Sequence, residues 1–131
     1  MSVRRWKART LLAALLLPPA LLFVTPARLA AWIGRRRPSD DPPPPDADFA
    51  EWTDRLLGPL PPPWRRTCLR RSMVLYYLVR HAGRSAVLHL GVRRDAAGAL
   101  EAHAWLTRDG VPLLEPSMNR VESYRILTSF P

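Results

Sequence analysis

Between residues 67 and 83 apolar side chains recur at Leu69, Met73, Tyr76 and Val79, the period of a helix with one buried face. Thr67 stands where an N-cap belongs, and Gly83 follows Ala82 where a helix commonly stops. Beyond Gly83 the period falls to two. Ala86, Leu88, Leu90 and Val92 alternate with Val87, His89 and Gly91, which predicts a half-buried strand. Arg94–Gly98 is turn-like. A second strand sets Leu100, Ala102, Ala104 and Leu106 on one face and Glu101, His103, Trp105 and Thr107 on the other. Arg108-Asp109-Gly110 signals a hairpin into a third strand, Val111–Glu115, which Pro116 ends. A last short strand is predicted at Tyr124–Thr128.

Upstream, Phe49, Trp52, Leu56 and Leu57 form a helical stripe, with Asp46 or Asp48 as its cap and Gly58-Pro59 as its stop. Pro38 to Asp46 contains no core-forming residue and reads as a stiff polyproline-like spacer. Before it, Arg4, Arg5, Lys7 and Arg9 precede the apolar run Leu11–Val24. Pro18-Pro19 interrupts that run, and neither half reaches the ~20 apolar residues needed to span a bilayer. Two short helices joined at the prolines are predicted, the second amphipathic over Pro26–Ile33. Docking on a protein or on the chain's own core is preferred to contact with a membrane surface, and a cleavable export signal ranks third. The chain thus divides into a basic-apolar helical segment (1–37), a Pro/Asp-rich linker (38–46) and a domain (47–131).

The 131 residues suit one small domain. A net charge of +9 fits a solvated basic surface, with an acidic partner as the sharper alternative. The single cysteine excludes an internal disulfide framework and gives no reason to expect an oxidising compartment, so a cytoplasmic setting is expected, with peripheral membrane contact through residues 1–37 as a further option. One cysteine and three scattered histidines lack the spacing of a metal site, and no cofactor is expected.

That cysteine is the chemical candidate. At the first position of its helix, Cys68 faces unpaired backbone amides and the positive end of the helix dipole, which favour a thiolate. His81 lies thirteen residues further along the same helix, ~20 Å away, and cannot serve as its base. His89 and His103 fall on neighbouring strands and stand side by side if the loop between them has five residues. His103 is the better base: small neighbours flank it, and Trp105 shares its face. Asp109 is at the hairpin tip and out of reach of His103. Glu115 reaches the His103 face if Arg108–Gly110 forms a three-residue turn that pairs position 103 with position 115. Trp64, Trp105 and His89 are candidates for the pocket walls. A cysteine-bearing helix on a small antiparallel sheet that carries a histidine predicts an α+β fold, laid out like papain-like and transglutaminase-like domains.

Three segments carry a closer resemblance: Cys-Leu-x-Arg-Ser-x-x-Leu-Tyr-x-Leu-x-Arg-x-x-Gly over 68–83, Leu-Gly-Val-Arg over 90–93, and Glu-Ala-His-Ala-Trp-Leu over 101–106. The chain resembles the lasso-peptide leader peptidases, the McjB C-terminal, transglutaminase-like family, in their stand-alone form. The resemblance implies a cysteine peptidase that removes the leader of a ribosomally made precursor. It also implies two partners besides the precursor: a separate leader-binding protein and a cyclase that closes the lactam. It makes Cys68 the nucleophile, His103 the base and Glu115 the third member, where the family usually has aspartate. Two alternatives stand beside it. One is acyl transfer to an amine by the same residues. The other is a non-enzymatic basic module for membrane or nucleic acid, which leaves the Cys68–His103 arrangement a coincidence; no nucleic-acid partner is expected.

Overall fold

A computed structural model describes residues 2–59, 67–116 and 119–131. Four helices, α1 (Ser2–Ala20), α2 (Pro26–Arg35), α3 (Asp46–Leu57) and α4 (Cys68–His81), precede a four-stranded sheet. Its strands are β1 (Val87–Arg94), β2 (Leu100–Arg108), β3 (Val111–Leu113) and β4 (Arg125–Phe130), antiparallel in the order β3-β2-β1-β4. The fold is α+β.

Helix α4 is the hub. The Thr67 hydroxyl accepts the Arg70 amide at 3.3 Å and starts it. Gly83, at φ 79°, takes the left-handed position that ends it, and the Arg84 amide closes back on the Val79 carbonyl at 3.1 Å. The sequence period predicts one buried face, yet Ser72, Met73, Val74, Leu75, Tyr76, Leu78 and Val79 are all buried. The reason is packing on two sides, with α1, α2 and α3 on one and β1 and β2 on the other. At ~1.5–3 kcal/mol for each large apolar side chain buried, this helix dominates the core.

The N-terminal helices share that core. Trp6, Ala13, Ala14, Leu17, Leu29, Ala30 and Ile33 join α4 and Phe49 in a single apolar cluster. The break between α1 and α2 falls at residues 21–25, after the prolines rather than at them. Pro18 and Pro19 sit in the last turn of α1, where the amides of Leu21, Leu22 and Val24 reach the carbonyls of Leu17, Pro19 and Ala20 and close the helix. The 38–46 segment packs against α1: the Trp6 indole donates to the Pro42 carbonyl at 3.0 Å, and Asp41 holds Arg5 and Arg9 at 3.0 and 2.6 Å. Neither Asp46 nor Asp48 caps α3, because Pro45 occupies the N-cap position. The Asp46 carboxylate instead bridges Arg84 and Arg108 at 2.6 and 2.7 Å.

Two features of the sheet position the site. The β2–β3 hairpin turns on two residues, Asp109 and Gly110, with Arg108 opposite Val111 and Leu106 opposite Leu113. The three-residue turn predicted from the sequence does not form. Secondly, β3 stops at Leu113, because Leu114 takes a left-handed φ of 57° and swings the chain off the sheet. The edge of β2 beyond Leu106 is therefore left without a strand.

Candidate active site

The start of α4 fills that edge. Continued in register, β3 would have paired residue 115 with Ala104. Instead the Ser72 hydroxyl, one helical turn above Cys68, donates to the Ala104 carbonyl at 2.9 Å. The Ala104 amide donates to the Cys68 sulfur. Two residues four apart on one helix face thus take the hydrogen bonds of the absent strand. They fix Cys68 beside His103, the neighbour of Ala104 on β2.

Cys68, His103 and Glu115 form a line. The imidazole is hydrogen-bonded to Cys68 on one side. On the other, His103 Nε2 meets Glu115 Oε2 at 2.6 Å, which leaves Nδ1 for the sulfur. Glu115 reaches His103 by a route the strand pairing does not offer. In a continued β3 its side chain would have faced away from His103. The left-handed turn at Leu114 reverses it. The carboxylate is 5% exposed, and Asn119 Nδ2 donates to the same Oε2 at 2.5 Å. Arg71 secures the turn: its Nη1 donates to the Leu114 carbonyl at 2.9 Å, while its Nε pairs with Asp54 of α3 at 2.8 Å.

The electrostatics follow from these contacts. Burial raises the Cys68 thiol, but the hydrogen bond from His103, the amides of Ala104 and Leu69 and the imidazolium charge bring it below its ordinary value. The His103 imidazole is pushed up to about 9 by its hydrogen bonds to Cys68 and Glu115, against the opposing effect of burial. The arrangement favours a thiolate–imidazolium pair, with the carboxylate behind it. Cys68 opens on a cleft of about 460 Å³, also lined by Thr67, Arg71, Ser72, His103, Ala104, Glu115, Pro116 and Asn119.

Aromatic rings support the imidazole. Trp105 stacks on it at 5.9 Å between centroids and Tyr124 at 5.1 Å. Arg93 lies 4.3 Å over the Tyr124 ring and ties it to Glu101 and Ser123. Trp105 and His89 line a second groove of about 640 Å³ with Tyr124 and Ile126.

The other sequence candidates fall as follows. The β1–β2 loop has five residues, yet His89 and His103 are not side by side: His89 faces Trp105 and His103 faces Gly91. The His89 ring contacts Ser129 Oγ and Thr107 Oγ1, both at 2.7 Å. His81, at the far end of α4, packs against Trp6 and Tyr77, and burial pushes its pKa down. Asp109 is at the hairpin tip in a left-handed conformation. Trp64 lies outside the described residues. Arg71, Ser72, Asn119 and Tyr124 escaped the sequence reading as site residues. For Arg71 and Ser72 a signal existed, since they stand three and four residues after Cys68 and so above it on the same helix face. For Asn119 and Tyr124 no local pattern points to the site.

A cysteine at a helix start, hydrogen-bonded to a histidine on an adjoining antiparallel sheet, defines a thiol-nucleophile class of site. Comparison of the whole chain agrees: residues 13–129 match the transglutaminase-like superfamily, and the chain belongs to it. That superfamily includes cysteine peptidases and acyltransferases, and its members are typically cysteine-based enzymes. Neither characterised proteins nor solved structures give a significant match to the chain.

Proposed function

We propose that this protein is a cysteine peptidase that removes the leader from a ribosomally made lasso-peptide precursor. A separate leader-binding protein presents the precursor, and a cyclase takes the freed amine. The single observation that carries the peptidase reading is the line Cys68–His103–Glu115, with its sulfur facing an open cleft. The choice of substrate is supported by the Cys-Leu-x-Arg-Ser and Glu-Ala-His-Ala-Trp-Leu segments, of which Cys68, Arg71, Ser72, His103 and Trp105 meet at the site.

The chemistry is acyl transfer to water. The Cys68 thiolate attacks the carbonyl carbon of the scissile bond, and the electron pair moves to its oxygen. The Cys68 amide, at the open end of α4, is the oxyanion donor on this chain. The His103 imidazolium then gives its proton to the departing amine, leaving a thioester and a neutral imidazole. The imidazole takes a proton from water, which attacks the thioester and releases the leader as a carboxylate. Glu115 holds the ring and offsets its charge in both halves of the cycle.

The test is to incubate the protein with the precursor peptide, with and without the leader-binding protein, and to weigh the products. The expected result is a leader with a new carboxylate and a core peptide with a free amine, both absent with Cys68→Ala. A leader carrying an added amine in place of the carboxylate would assign the same residues to transamidation. Equal cleavage by Cys68→Ala would remove the cysteine from the chemistry.

A further inference from the structure

Helices α1 and α2 bury one face and leave the other uncovered. Leu12 and Leu16 are 56% and 64% exposed on α1, Leu11 and Leu15 flank them, and Leu22 and Phe23 project from the turn into α2, Phe23 at 88%. Leu12 and Leu16 share a groove with Trp32 and Arg36, so the two helices present one surface. Single exposed leucines need no explanation; a connected set of this size marks an interaction site.

Charge identifies the partner. Residues 1–37 hold eight of the twenty basic residues and none of the eleven acidic ones. They therefore carry +8 of the net +9, and the remaining residues carry +1. Asp41 occupies Arg5 and Arg9, and Arg36 lies 4.8 Å over the Trp32 ring. Lys7 lies 5.6 Å over the Trp52 ring, and Arg35 Nε donates to the Ala31 carbonyl at 3.3 Å, while the exposed Arg4, Arg28 and Arg37 add charge on the two helices and just beyond them. Nucleic acid fits poorly, since its phosphates would meet leucines. A lipid surface fits both halves: acyl chains receive the leucines and Phe23, a tryptophan sits at headgroup depth, and anionic headgroups receive the arginines. Among the described residues no helix is long and apolar enough to cross a membrane, so such contact is peripheral.

We infer that the outer face of α1 and α2, with the turn at Leu22-Phe23, docks this protein on an anionic phospholipid surface. The test is sedimentation of the full chain with phosphatidylcholine vesicles, with and without phosphatidylglycerol. The wild type is expected to sediment with the anionic vesicles, more weakly with the neutral ones, and less as salt rises. The variant Leu12→Ser/Leu16→Ser/Phe23→Ser, altered only at exposed positions, is expected to lose at least ~10-fold in partitioning. Unchanged alkylation of Cys68 in that variant shows that its fold is retained. If the wild type ignores anionic vesicles, or if the variant binds them equally, the inference fails. A wild type that ignores both vesicles, but forms a complex with the leader-binding protein that the variant loses, assigns the face to a protein instead.

Discussion

Glu115 Oε2 lies 2.6 Å from His103 Nε2 although strand register alone would put the two residues on opposite faces of the sheet. Leu114, with φ at 57°, makes the contact. The third member of the site therefore depends on a turn as well as on its own side chain.

Replacing the Glu115 carboxylate without changing its shape isolates its charge. Glu115→Gln is expected to lower kcat by ~10²–10⁴ with little change in KM, because the imidazolium loses its counter-ion and the ring its orientation. Glu115→Asp keeps the charge but shortens the side chain by one methylene, and is expected to lose less. Steady-state kinetics on the precursor peptide check both. If Glu115→Gln keeps wild-type kcat, Glu115 is a structural partner of His103 and no more.

Arg71 acts on the site through Leu114. Its guanidinium binds a carboxylate and a carbonyl at once, which a lysine cannot copy. Arg71→Lys is therefore expected to retain the fold and lose ~10-fold or more in kcat. Combining it with Glu115→Gln should cost little beyond Glu115→Gln alone, since both act through one carboxylate. Full additivity of the two changes would disconnect Arg71 from Glu115.

Much of this was legible in the sequence because it rests on local pattern. The Thr67 cap, the 3.6 period of α4 and the alternation in β1 and β2 each follow from neighbouring residues. The choice of His103 over His81 followed from rise per residue. What the sequence could not give depends on residues far apart. The all-round burial of α4 comes from helices packed on its second side. The two-residue hairpin with a left-handed Leu114 replaces the three-residue turn, because nothing in Val111–Glu115 marks an early exit from the sheet. Asn119 and Tyr124 reach the site only through the path of the 119–125 segment.

Gly91 offers a check on the packing beneath His103. A Cβ there would lie 2.8 Å from the Trp105 ring and 2.9 Å from the Arg125 carbonyl of β4. The carbonyl is held in the sheet and the ring stacks on His103, so neither yields freely. Gly91→Ala is expected to destabilise the fold by ~1–3 kcal/mol, a fall in Tm of several degrees. An unchanged melting curve would contradict the close approach of Trp105 to β1.

The proposed chemistry rests on His103 holding Cys68 as a thiolate. Cys68 is the only cysteine in the chain, so alkylation by iodoacetamide against pH reads it alone. Its folded-state value lies below the ordinary 9.0, and that of His103 is raised from 6.5 to about 9. Falling pH protonates the sulfur and slows alkylation, whereas rising pH through about 9 strips the proton that the leaving amine needs. Peptidase activity should therefore trace a bell, and alkylation a single rise whose midpoint is below 9.0. His103→Ala should move that midpoint upward, since the histidine's hydrogen bond and charge no longer oppose burial and only the Ala104 and Leu69 amides still do. A wild-type midpoint at 9.0, unmoved by His103→Ala, would contradict the account.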